Sequence, residues 1–131
     1  MNSQIRKATI EDYYSIHRIM IEAQHHHVLL RPDIFKEVDI MFTKEQFKEM
    51  LENNIIFVGE CQRQVVGVII VNRCVAKGLT KKERKFLYID SMAVDLKYRG
   101  LGIGTKLLNK VTETAKKENY DILSLPPLNQ Y

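Results

Sequence analysis

At 131 residues, with 45% apolar or aromatic and 27% charged side chains, the chain fits one domain around one core and is not disordered. Its longest apolar run, residues 65–71, falls far short of the about 20 residues that span a bilayer, and the polar start Met1-Asn2-Ser3-Gln4 leads into no apolar stretch, so neither a membrane span nor a signal peptide is expected. The net charge of +4 is partly local: residues 97–117 hold six bases and one acid, an excess that suits a small phosphate-bearing ligand, although a solvated helix face explains most of these lysines equally well.

Residues 4–8 read as a first strand. Thr9-Ile10-Glu11-Asp12 is a capping box, and Ile16, Ile19, Met20 and Ala23 follow at helical spacing, which predicts an amphipathic helix over 10–24. Residues 25–33 contain His25, His26 and His27 and end Arg31-Pro32-Asp33; Pro32 makes this stretch a loop or a new helix start. Thr43-Lys44-Glu45-Gln46 is a second capping box. With Phe47, Met50 and Leu51 on one face, it opens a helix over 43–53.

Residues 55–60 and the β-branched run 65–71 form a hairpin around the polar turn Gln62-Arg63-Gln64. Residues 77–85 are a basic loop and 86–94 the next strand. Residues 95–104 form a turn rich in glycine and charge. Ile103, Leu107, Leu108, Val111 and Ala115 mark a helix to about Lys117, and residues 121–125 a last strand ended by Pro126 and Pro127. The order β-α-α-β-β-β-α-β implies an α/β (α+β) fold, a mixed and mostly antiparallel central sheet flanked by helices, over residues 1–131 as a single domain. Cys61 and Cys74 form neither a CxxC pair nor a disulfide framework and read as reduced thiols, packed as small apolar residues, in a cytoplasmic protein.

The chemistry concentrates in the turn. Gly100, Gly102 and Gly104 alternate just ahead of a helix whose first N–H groups lack intrahelical partners and whose dipole is positive at that end. Glycines let those groups approach a ligand, and Arg99 adds a charge, so the turn is an anion site suited to a pyrophosphate. The spacing GxGxG is not the dinucleotide fingerprint GxGxxG, and Gly104-Thr105-Lys106 has the wrong order for a phosphate-binding P-loop.

Arg99-Gly100-Leu101-Gly102-Ile103-Gly104 resembles the R/Q-x-x-G-x-G/A motif of the GNAT superfamily of acetyl-CoA-dependent N-acetyltransferases. The preceding strand Tyr88-Ile89-Asp90-Ser91-Met92-Ala93-Val94-Asp95, the following Thr105-Lys106-Leu107-Leu108 and the element order from residue 4 to about 125 fit the same pattern. The resemblance implies that acetyl-CoA lies where two parallel strands splay apart. Met92, Ala93 and Val94 then offer backbone groups to the pantetheine and acetyl carbonyl, and Arg99, Gly100, Leu101, Gly102, Ile103, Gly104 and Thr105 hold the pyrophosphate. It further implies direct attack on the thioester by an amine of a small molecule or protein. No metal, nucleic acid or membrane is expected, since the chain shows no second ligand cluster, no recognised nucleic-acid-binding motif and no spanning stretch.

Asp90 is the candidate base or amine-binding group; the plainer reading is a strand acid held by a backbone or lysine partner. Strand alternation puts it on one face with Phe86, Tyr88 and Met92. His27 and Arg31 are candidates for the acceptor side, the former because one of three consecutive histidines can face the substrate, the latter because Arg31-Pro32-Asp33-Ile34-Phe35 resembles a pocket-shaping segment in one branch of the family. Three histidines can also signal metal, but consecutive side chains point in different directions. Complete members continue after the fifth strand with a tyrosine-bearing helix and two further strands. This chain is expected to lack them, with Asn129 and Tyr131 not assignable to those roles. Either the chain is a truncation with weak or no activity, a non-catalytic acyl-CoA-binding remnant, or a partner copy covers the missing edge; a dimer along the exposed edge of the last strand is expected in either case.

Overall fold

Spatial order equals chain order in the five-stranded sheet of the computed structural model, which describes residues 3–76 and 82–124. The strands are β1 Ser3–Lys7, β2 Ile55–Cys61, β3 Gln64–Ala76, β4 Arg84–Val94 and β5 Asp121–Ser124; the helices are α1 Tyr13–Leu30, α2 Lys44–Asn53 and α3 Ile103–Glu118. β1 through β4 pair as antiparallel neighbours, and β5 runs parallel to β4. The mixed, mostly antiparallel sheet and the element order are those expected. The stretch after Ser124, with Pro126, Pro127, Asn129 and Tyr131, and most of the basic loop lie outside the described residues.

Both faces of the sheet are covered. On one, Ile103, Leu107, Val111 and Ala115 recur every four residues along α3 and seat on Phe57, Ile69, Val71, Leu87, Ile89 and Met92. On the other, Ile16, Ile19 and Met20 of α1 and Phe47 of α2 pack against Val58, Val68 and Ile70. Successive β3 residues thus serve opposite layers, which is why residues 65–71 are apolar without alternation. Each such fully buried side chain contributes roughly 1.5–3 kcal/mol relative to leaving it in water.

Four elements differ from the sequence reading. α1 does not stop at residue 24; it carries His25, His26 and His27 as ordinary helix and ends where Pro32 forces Arg31 out of helical backbone, at φ −138°, ψ 71°. The box at Thr9 opens a 3-10 turn, Ile10–Asp12, that leads into α1. β3 and β4 run five and two residues beyond their expected ends, because backbone pairing continues through Arg73↔Leu87 to Ala76↔Arg84 after the helices cease to cover the sheet. The linker from α1 to α2 is tied back to α1: the Tyr13 hydroxyl donates to the Phe42 carbonyl (2.8 Å) and the Met41 N–H to Nε2 of His17 (3.1 Å).

Two bulges shape the end of the sheet that matters below. Ile70 pairs with Ser91 and Val71 with Ile89, so Asp90 is an extra residue in β4. The insertion resets the alternation. Met92 packs under α3 with Leu87 and Ile89, and Ala93 turns to the α1 side. The expectation that Met92 shares a face with Phe86 and Tyr88 is corrected accordingly. In β3, Gly59↔Gly67 is followed by Glu60↔Val65, which leaves Val66 unpaired to β2.

A charged cluster ties β1 and β2 to the turn that precedes α1. Arg6 of β1 donates two bonds to the Asp12 carboxylate (2.8 and 2.9 Å) and one from Nε to Glu60 of β2 (2.8 Å), while the Thr9 N–H donates to Asp12 (2.8 Å). Burial pushes the Asp12 carboxyl up, but Arg6 and the Thr9 N–H outweigh it and hold it below its ordinary 3.8. The unfolded chain then binds a proton the folded chain refuses. Stability from this group is complete above about pH 5 and is lost as pH falls through the folded-state value. Asp12→Asn is expected to cost about 1.5–3 kcal/mol in urea unfolding at pH 7, and to flatten the acid limb of stability against pH.

Candidate functional site

The described pairing of β5 with β4 runs from Phe86↔Asp121 to Ile89↔Ser124, so Met92, Ala93 and Val94 lie beyond it. There the end of β4 and the start of α3 enclose a cavity of about 260 Å³, lined by Met92, Ala93, Val94, Tyr98, Arg99, Gly100, Gly102, Ile103, Gly104 and Thr105. All the residues expected at the cofactor end are brought together here except Leu101, which points to solvent. Tyr98, at the head of the same segment, lines the cavity as well.

The local backbone explains the geometry. Gly102 is the residue before α3 and holds φ +83°, a left-handed conformation that costs an L side chain about 1–2 kcal/mol. Lacking a side chain, it caps nothing. The first helical bond runs from the Lys106 N–H to the Gly102 carbonyl (3.0 Å), leaving the N–H groups of Ile103, Gly104 and Thr105 without helical partners. They lie at the cavity, together with the positive end of a 16-residue helix and the Arg99 side chain.

Of the six bases in residues 97–117, Arg99 lines this cavity. Lys106 turns away to Ser3 of β1 (2.6 Å to Oγ), and Lys110 lies over the Phe57 ring and near Glu113. The helix-face reading therefore accounts for most of the local charge.

The loop that delivers Tyr98 and Arg99 hangs on Asp95, a buried acid at the end of β4. Its N–H donates to the carbonyl of the bulge residue Val66 (2.8 Å), and its carbonyl accepts the Tyr98 N–H (2.9 Å). One carboxylate oxygen accepts the Lys97 N–H and the other Nη1 of Arg18 on α1, both at 3.0 Å. Burial pushes this carboxyl up; the Lys97 N–H and the Arg18 guanidinium reverse that and hold it low, so it stays ionised.

The acceptor-side candidates lie apart from the cavity lining. Asp90 is exposed at the β4 bulge and accepts the Ser91 hydroxyl (3.2 Å). His27 stacks on Phe35, with ring centroids 4.9 Å apart. Burial, then the neighbouring His26 and Arg99, pushes its imidazole below the ordinary 6.5, so it is neutral at pH 7. Arg31 is exposed and bonds Asp33 across the Pro32 turn (3.1 and 2.9 Å). Among the described residues no group of three or more His, Cys, Asp or Glu side chains could hold a metal ion, and no helix is long and apolar enough to cross a membrane. A larger cleft of about 520 Å³ opens at the far end of the sheet, where Lys7, Arg73, Lys110 and Lys117 outnumber Glu52, Glu113 and Glu118; it meets none of the glycine-turn residues.

The model of the acetyltransferase (GNAT) family matches residues 11–131. The chain belongs to the GNAT acetyltransferase family. Solved structures carry the same fold. A tetramutant of the BH1408 protein from Bacillus halodurans superposes with a TM-score of 0.84 at 26% identity, over 95% of this chain and 82% of that one. An acetyltransferase from Vibrio fischeri gives 0.77 at 20%, over 92% and 93%. A predicted acetyltransferase from Clostridium acetobutylicum, solved with acetyl-CoA, gives 0.69 at 18%, over 98% and 84%. Comparison with curated protein sequences yields no match. GNAT membership and the GNAT fold together support an acyltransferase function.

Proposed function

We propose that this GNAT protein moves the acetyl group of acetyl-CoA to an amine of a small molecule or protein. One observation carries the reading: three helical N–H groups without partners inside the helix, Arg99 and the end of β4 line one cavity floored by Gly102 and Gly104, which keep it open for a pyrophosphate. The Clostridium relative solved with acetyl-CoA supports the choice of thioester. In this reading backbone groups of Met92, Ala93 and Val94 receive the pantetheine and acetyl carbonyl, and the pyrophosphate is held by residues 99–105.

The acceptor nitrogen must reach the thioester uncharged. It bonds to the acyl carbon, the C–S bond breaks, and the departing thiolate takes up a proton. Asp90, at the bulge two residues before Met92, is the proposed base or amine-binding group. His27, neutral and backed by Phe35, and Arg31, at the end of the same helix, are proposed for the acceptor side. A homodimer along the edge of β5 belongs to the same proposal; Ile122 on that strand is exposed, and light scattering at twice the chain mass is its test.

Calorimetry is expected to give a Kd for acetyl-CoA in roughly the micromolar range. Release of free thiol is expected with at least one member of a panel of amines, polyamines and peptides. Asp90→Asn should lower that turnover at least about tenfold while leaving the Kd nearly unchanged. No heat and no thermal shift with acetyl-CoA or CoA overturns the proposal. Binding without turnover on any acceptor leaves an acyl-CoA-binding module in its place.

A further inference from the structure

We propose that Arg18 is a positioning residue for the cofactor turn, acting from α1 through Asp95 without touching the ligand; the inference rests on the reading of the glycine-turn cavity as the acetyl-CoA site. Asp95, at the end of β4, joins β3, the turn that follows it and α1. Its N–H is bonded to the β3 bulge at Val66, its carbonyl holds Tyr98, and its carboxylate holds the Lys97 N–H and the Arg18 guanidinium. The 3-10 turn Leu96–Tyr98 is therefore closed at both ends by this residue, and that turn delivers Tyr98 and Arg99 to the cavity.

Arg18 provides the side-chain contact that ties the turn to the opposite layer of the fold. Its guanidinium lies 3.0 Å from Asp95 and 3.2 Å from Glu22 one helical turn on, and half of its side chain remains exposed. A half-exposed arginine adds little to global stability. A charge-assisted bond to a buried carboxylate is different, because removing the partner leaves Asp95 buried with one oxygen uncompensated. The carboxylate then has reason to turn toward water, and its other bond, to the Lys97 N–H, goes with it. The loss falls on the turn rather than on the core.

The test is a double-mutant cycle read by calorimetry with acetyl-CoA, with thermal melting run alongside. Arg18→Leu is expected to raise the Kd about tenfold, the equivalent of one charge-assisted hydrogen bond, while the folded protein melts within a few degrees of the parent. Arg18→Lys, which keeps a cationic donor, should recover part of the affinity, and Glu22→Gln, which leaves the bond to Asp95 in place, should match the parent. Arg99→Ala should also weaken binding, and Arg18→Leu added to it should cost little more, since Arg18 works by placing Arg99 and Tyr98. Unchanged affinity in Arg18→Leu, or losses that simply add in the double variant, overturns the positioning role and leaves the cofactor site standing. A parent protein that binds no acetyl-CoA overturns both.

Discussion

Replacement of Gly104 by leucine is expected to leave the protein folded and to abolish acetyl-CoA binding. Gly104 is the second residue of α3 and lies in ordinary helical backbone, so a side chain brings no conformational strain. A Cβ there meets Cε of Met92 at 3.7 Å and Cγ2 of Val94 at 3.9 Å, both normal contacts. Replacing a helical glycine with a good helix former favours the folded state by up to about 1 kcal/mol, so the melting temperature should hold or rise by a few degrees. The rest of the leucine has only the cavity to enter, since Gly104, Met92 and Val94 all line it. There it covers the N–H groups at the helix start, and the Kd should weaken at least about a hundredfold, or some 2.7 kcal/mol. Gly102→Leu is a poorer probe. At φ +83° it adds backbone strain, so lost binding there does not separate a blocked site from a distorted one. Retained affinity in Gly104→Leu, measured by calorimetry on protein with a normal melt, moves the ligand away from α3.

Much of this site was legible because its determinants are local. Alternating glycines before an amphipathic helix, and an arginine ahead of them, specify the turn, the start of α3 and the cavity lining within about a dozen residues. The capping boxes at Thr9 and Thr43 were readable for the same reason, and both are present. What escaped is non-local. The bond between Arg18 and Asp95 joins residues 77 apart, and nothing in the pattern around either one marks the pairing. The bulge at Asp90 is a property of two strands in register, so alternation along β4 alone assigned Met92 to the wrong face. α1 ran past its expected end because three histidines have only middling helix propensity and tertiary packing decides such cases; His27 gains Phe35 as a stacking partner by staying helical. β3 was read short because Asn72 and Arg73 break the apolar run, although backbone pairing there needs no apolar side chain.

The seat of α3 on the sheet gives the second large effect, and it links stability to the site. Gly59 and Gly67 are register partners on β2 and β3, and both face α3. A Cβ on either would stand 2.9 Å from Cγ2 of Ile103, the first and fully buried residue of that helix. The two glycines form a notch that receives Ile103 and sets how close the helix start comes to β4. Gly67→Ala also puts its methyl 3.3 Å from Cδ1 of Leu107, so the strain spreads over the first turn and a half of α3. The substitution gains about 0.4–1 kcal/mol by stiffening the unfolded chain. Overpacking costs about 1–3 kcal/mol, and the balance is expected to be destabilising. Acetyl-CoA affinity should fall with it, because Ile103, Gly104 and Thr105 are one wall of the cavity and Met92, Ala93 and Val94 the other. Ile103→Leu moves the branch off Cβ and removes the clashing methyl. Combined with Gly67→Ala it should recover at least about 1 kcal/mol of stability relative to the sum of the single changes, and part of the affinity. Urea unfolding and calorimetry on the four proteins of this cycle read both effects. Strictly additive energies would mean that Ile103 and Gly67 do not meet, and that the helix start is held by other contacts.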